Sequence, residues 1–192
     1  ESQFMHTAGL DENEDLFAPV IASAKSRALW LGINLLTAFL ASWTIGLFEA
    51  TLEQVVALAV LMPIVASMGG IAGSQTLTLI IRGLALGQIT PQTYFTLMRK
   101  ELSIGLINGL LWALVIFGVT YLWFGDVIIG TVIALAIVIN ICVAALSGVV
   151  IPVWLEKAKI DPALSGSVIL TTITDVIGFF VFLGLGSLLL LP

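Results

Sequence analysis

Apolar residues run along this chain in stretches too long for a soluble core and too continuous for half-buried strands. Five such stretches, near 28–48, 55–81, 102–124, 127–154 and 163–190, each reach the length of about 20 residues that crosses a hydrocarbon layer of roughly 30 Å. The bilayer interior offers backbone amides no water, so each stretch is predicted to be a helix that satisfies its own hydrogen bonds. Alternation at strand period is missing, which argues against a membrane barrel. The predicted fold is therefore an all-α membrane protein with five transmembrane helices per chain.

The few basic residues orient these spans. Lys25 and Arg27 precede the first, Arg82, Arg99 and Lys100 lie between the second and third, and Lys157 and Lys159 lie between the fourth and fifth, which accounts for all 7 Lys and Arg. Five crossings put these three segments on one side, and the positive-inside rule makes that side cytoplasmic. The amino terminus is then expected in the cytoplasm and the carboxyl terminus outside. Trp30, Trp43, Trp123 and Trp154 fall toward span ends, where indoles favour the interface.

Composition agrees: 59% of the residues are hydrophobic and 10% charged. The formal charge of -5 comes largely from Asp11, Glu12, Glu14 and Asp15, in a segment (1–26) expected to be an acidic cytoplasmic linker ahead of a membrane domain at 27–192. That acidic run reads as a charged, solvated linker. No basic patch is present for nucleic acid. One cysteine, Cys142, excludes an intrachain disulfide and sits among apolar neighbours as a packing residue. His6 has no companions for a zinc site. The chain opens on Glu1 and is expected to be a piece of a longer protein.

Two segments break the apolar monotony. In the second span, Pro63 removes a helical hydrogen bond and Gly69, Gly70 and Gly73 ease bending, so that helix is expected to be kinked or broken near Gly69 and Gly70. Small residues at such spacing also let helices approach closely, while the adjacent Ser74, Gln75 and Thr76 suit a cavity wall. In the fifth span Asp175 is a lone carboxylate in the middle of a long apolar helix. Its charge there costs roughly 3 kcal/mol, so such a group faces a bundle interior or a wet cavity. Helical spacing lines Ser167, Thr171, Asp175 and Gly178 along one stripe with Thr174 at its margin. Asn140, mid-way along the fourth span, is either interhelical glue or part of the same pathway, and Asn34 and Asn108 are weaker candidates for the same roles.

Carboxylate, hydroxyl and carbonyl groups without imidazole or thiol suit hard cations, and Mg²⁺ in particular is held through one or two carboxylates with several waters retained. Two-fold pairing of the chain would supply the second carboxylate. A cation channel is thus the first reading. A proton- or sodium-coupled divalent cation transporter is the alternative, since intramembrane carboxylates also relay protons. No inverted repeat supports a two-lobed transporter. An intramembrane hydrolase is disfavoured, because no serine is paired with a base, and an enzyme is not expected.

The run at 63–87, containing Met68-Gly-Gly-Ile-Ala-Gly-Ser-Gln-Thr-Leu-Thr-Leu-Ile-Ile-Arg-Gly-Leu-Ala-Leu-Gly, together with Asp161-Pro-Ala and Thr174-Asp-Val-Ile-Gly-Phe-Phe, resembles the transmembrane domain of MgtE-type magnesium channels over essentially all of 27–192. The resemblance implies a five-helix homodimeric pore domain in the bacterial inner membrane, with Mg²⁺ as the transported ion and Mn²⁺ and Co²⁺ as further candidates. It implies that Asp175 binds the hydrated ion, with the backbone carbonyl of Thr171 one turn earlier and Ser167 two turns earlier. Pore-lining candidates are Ser167, Thr174, Gly178, Asn140, Ser74 and Gln75. Ile71 departs from the family, many members having asparagine there. Members also usually carry cytoplasmic sensor domains, a helical domain and paired CBS domains, ahead of the pore, and these are not among the 192 residues; the resemblance gives the acidic run at 11–15 a second reading, as one face of a regulatory cation site of such domains.

Overall fold

A computed structural model of the chain describes Leu10 and residues 15–192. His6 and the acidic residues Asp11, Glu12 and Glu14 lie outside the described residues, whereas the Asp15 carboxylate accepts a hydrogen bond from the Phe17 amide at 3.1 Å. Six helices make up the described chain: α1 (Val20–Gly46), α2 (Glu49–Gln54), α3 (Val56–Ala85), α4 (Tyr94–Phe124), α5 (Val127–Lys157) and α6 (Pro162–Leu190). Five of them, all but α2, are long and apolar enough to cross a membrane. The architecture is thus an all-helical, multi-pass membrane protein.

Helices outrun the apolar stretches that betray them. α1 starts at Val20 and passes through Lys25 and Arg27, and α4 starts at Tyr94, a full two turns before the apolar stretch at 102. Hydropathy marks where a helix sits in hydrocarbon, not where its hydrogen bonding begins. The short α2, holding Glu49 and Glu53, occupies what the sequence suggested was a plain loop.

Local signals explain the ends. The carboxylates of Asp126 and Asp161 accept from the amides of Ile128 at 2.8 Å and Ala163 at 2.9 Å, capping α5 and α6, and Pro162 follows in the first turn of α6. α4 stops at Gly125, whose φ of 67° is open to glycine and closes a bond from its amide to the Tyr121 carbonyl at 2.8 Å.

α5 is apolar on all sides and sits at the centre, packed against α3, α4 and α6. α1 lies at the margin and packs chiefly against α6. The interior divides into two apolar clusters. One holds Leu58, Leu61, Val65, Val132, Ile133 and Phe182, and the other Leu77, Ile81, Ile151, Leu155, Ala163 and Leu170.

Between the clusters the helices meet through glycines. A Cβ on Gly148 would lie 2.7 Å from the Thr76 Cβ and 3.1 Å from the Gly73 carbonyl oxygen, and one on Gly73 would lie 2.9 Å from a Leu170 methyl. Gly69 and Gly178 both abut the Asn140 amide. Close approach of this kind is how membrane helices gain dispersion contact without a hydrophobic drive.

Of the kink or break expected near Gly69 and Gly70, the break does not occur. α3 is helical without a break from Val56 to Ala85, with Pro63 inside it on an exposed face. Gly69 and Gly73 are instead contact points for α5 and α6, which a broken helix could not hold in register.

Candidate cation site

The glycine layer fixes what faces inward on α6 and what is left outside. Thr174 is fully buried and donates its hydroxyl to the Thr171 carbonyl at 3.1 Å, and Gly178 is buried against Asn140. Asp175 is half-buried and Thr171 exposed. The stripe read from the sequence therefore splits. Asp175 and Thr171 turn to the open side of the helix, with Ser167 half-buried, while Thr174 and Gly178 turn into the bundle.

Asn140 is 1% exposed, and its amide nitrogen donates to the Val65 carbonyl at 3.2 Å, tying α5 to α3. The side-chain oxygen of the same amide is buried without a hydrogen-bond partner. In this bundle Asn140 is placed as a cross-link between helices, wedged between two glycines, and not on the open face.

On α3, Ser74 and Gln75 are exposed and line a shallow groove with Ile71, Thr78 and Leu79. Ile71 is an exposed apolar neighbour of that groove. α3 and α6 pack side by side through Gly73 and Leu170, so the polar side chains of both helices flank the same helix pair. Of the residues first associated with a break, Pro63 faces outward and Gly70 has nothing near its missing Cβ, whereas Gly69 and Gly73 are packed.

The Thr171 carbonyl, besides its place in the helical ladder, already receives the Thr174 hydroxyl. Its two lone pairs are thus engaged inside the helix. Thr172 likewise spends its hydroxyl on the Val168 carbonyl at 2.7 Å. Neither of these two hydroxyls therefore donates to the Asp175 carboxylate.

Among the described residues no three acidic, histidine or cysteine side chains come together. One chain therefore supplies this face with a single formal charge, enough to attract a cation but not to strip its water.

One residue escaped the sequence reading altogether. Glu101, one residue ahead of the apolar stretch that begins at 102, lies on α4 and is 7% exposed, with the Thr76 hydroxyl of α3 donating to it at 3.2 Å. Helical spacing of Glu101 with Gly105, Asn108 and Trp112 was the available signal.

Comparisons with known proteins bear on this geometry. The family model MgtE, described as a divalent cation transporter, matches residues 62–185, which include Asp175, Ser74, Gln75 and Asn140. The magnesium transporter MgtE of Thermus thermophilus is 33% identical over 189 residues, 97% of this chain and 42% of that protein. That of Bacillus subtilis is 32% identical over 165 residues, 86% of this chain and 37% of that protein. A third, from Enterococcus faecalis, is 28% identical over 187 residues, 97% of this chain and 41% of that protein. The chain thus spans roughly two fifths of the length of the curated relatives it matches.

Proposed function

The chain belongs to the MgtE family of divalent cation transporters, and from that premise we propose that it forms the membrane pore through which Mg²⁺ enters the cytoplasm, with Asp175 as the residue that holds the passing ion. The observation that carries the proposal is the half-exposed Asp175 carboxylate on the open side of α6, next to a buried layer that fixes its position. Magnesium transport is what the relatives' names describe, which supports Mg²⁺ as the ion.

A lone carboxylate facing lipid would cost roughly 3 kcal/mol. Two-fold pairing of the chain along α3 and α6 removes that cost, because it covers both polar faces and sets two Asp175 carboxylates around one aqueous path. Two carboxylates match the two charges of Mg²⁺, and the occupied Thr171 carbonyl favours an ion that keeps its inner waters. Outer-sphere binding is weak enough for release, as conduction requires. Ser167 of α6 and Ser74 and Gln75 of α3 then offer hydrogen bonds to the water shell, while Thr174, Gly178 and Asn140 hold the helices that carry it.

With the amino terminus in the cytoplasm, the orientation that the basic segments favour under the positive-inside rule, the inside-negative potential of a bacterial inner membrane drives the ion inward. For a divalent ion this amounts to about 4.6 kcal/mol per 100 mV, twice the value for one charge. Sensor domains attached elsewhere in such proteins would set when the path opens, and Mn²⁺ and Co²⁺ are further candidate ions.

Reconstitution of the chain into vesicles with an entrapped Mg²⁺-sensitive dye tests the proposal. Uptake should follow the membrane potential, persist when the proton gradient is collapsed, and be lost in Asp175→Asn while the variant stays folded. Undiminished uptake by that variant would overturn the assignment.

A further inference from the structure

α5 keeps α3 and α4 apart, and the gap between them is a cavity of about 430 Å³ whose wall includes Gln75 and Thr76 of α3 and Glu101 and Asn108 of α4. Its floor is Ile141 and Ala145 of α5, the latter 3.1 Å from where a Gly105 Cβ would stand. Glu101, one turn from Gly105, is thereby drawn in beneath the surface and only 7% exposed. No ion pair to it is formed among the described residues, and one neutral hydroxyl, that of Thr76, donates to its carboxylate at 3.2 Å. Arg99 and Lys100, although next to it in sequence, are exposed on other sides of the helix.

A buried carboxylate with a single neutral donor is under-compensated, and inside a membrane bundle such a group marks an ion or proton position. The surroundings decide between these. A group kept neutral by protonation needs no space and no further oxygen donors. Here the carboxylate opens on room for several waters, and in an otherwise apolar wall that includes Met68 and Trp112 the amide oxygens of Gln75 and Asn108 and the Thr76 hydroxyl add oxygen donors of the kind a hard cation prefers, with no histidine or cysteine among them. We propose that this cavity is a second cation site, separate from the Asp175 face, that takes a divalent ion with part of its water shell through Glu101.

Gln75 borders both this cavity and the outer groove of α3 that holds Ser74 and Thr78. An ion at Glu101 therefore sits on the flank of α3 opposite the contact with α6, one side chain away from the polar groove.

The test is Mn²⁺ binding to the purified full chain, read from the loss of the free-ion electron paramagnetic resonance signal. It is run in wild type, Asp175→Asn, Glu101→Gln and the double variant, each checked for helicity and monodispersity. In the Asp175→Asn background a class of bound Mn²⁺ should remain that Mg²⁺ displaces and Na⁺ does not. Adding Glu101→Gln should weaken that class by about tenfold or more. Asn108→Leu, at an exposed position that no core packing depends on, should weaken it severalfold and serves if the glutamine variant does not fold.

Equal titrations of the Asp175→Asn protein with and without Glu101→Gln would overturn the proposal, as would complete loss of binding on Asp175→Asn alone. An infrared band of protonated carboxylic acid that vanishes with Glu101→Gln and ignores added Mn²⁺ would also overturn it. Binding unaffected by Asp175→Asn but abolished by Glu101→Gln would sustain this site while removing the one at Asp175.

Discussion

Replacing Gly178 with alanine tests whether the glycine layer is as tight as it looks. The new methyl would fall 2.7 Å from the amide nitrogen, 3.0 Å from the side-chain carbonyl carbon and 3.2 Å from the side-chain oxygen of Asn140, against a comfortable separation of about 3.5 Å or more. Asn140 has nowhere to retreat, because Gly69 of α3 touches its other side. It must leave its rotamer or push the helices apart. Overpacking of this kind costs about 1–3 kcal/mol, and the bond from Asn140 to the Val65 carbonyl, worth about 0.6 kcal/mol on average for such contacts in membranes, is lost with it. A destabilisation of about 1.6–3.6 kcal/mol follows from the two terms. Asn140→Ala alone removes the cross-link and leaves a small void, yet in combination it makes room for the new methyl. The double variant should therefore be no less stable than Asn140→Ala, giving a coupling of about 2 kcal/mol within the range seen for contacting pairs. Equilibrium unfolding in mixed micelles, followed by helicity, measures all four proteins. Stability of Gly178→Ala equal to wild type, or strict additivity in the double variant, would refute the packing described.

Two further outcomes follow from the helix ends and the charge pattern. Asp126→Ala removes the acceptor for the Ile128 amide and should lower stability by about 1 kcal/mol in the same unfolding assay, with Asp126→Asn or Asp126→Ser retaining most of it. With Cys142 replaced by alanine, a cysteine introduced at Gln88 should react with an impermeant maleimide from the cytoplasmic side alone, and one at Gly125 from the opposite side alone; the same sidedness for both would contradict the orientation.

The membrane helices were legible in the sequence because an apolar run of that length has few other uses, and the family was legible in the ordered runs around Gly69 and Asp175. Helix ends were not, since Lys25, Arg27 and Arg99 extend their helices beyond the apolar stretches that reveal them. Proline and glycines in α3 suggested a break because composition cannot distinguish a flexible backbone from one that must come close to a neighbour. That choice is made by Asn140 and Leu170, which lie 71 and 97 residues away from Gly69 and Gly73 respectively. The stripe on α6 was placed on one face by spacing, but spacing does not say which edge of a stripe the other helices cover, and they cover Thr174 and Gly178. Glu101 was hidden because it stands one residue ahead of the apolar stretch that begins at 102, beside the charges of Arg99 and Lys100.

The most direct measurement is the position of Mn²⁺, located by anomalous scattering, in crystals of the assembled protein. The account predicts a peak between two Asp175 carboxylates, set back beyond the roughly 2.1 Å of direct ligation to Mg²⁺ because water intervenes. Asp175 side chains directed at lipid, with no metal near them at saturating Mn²⁺, would contradict it.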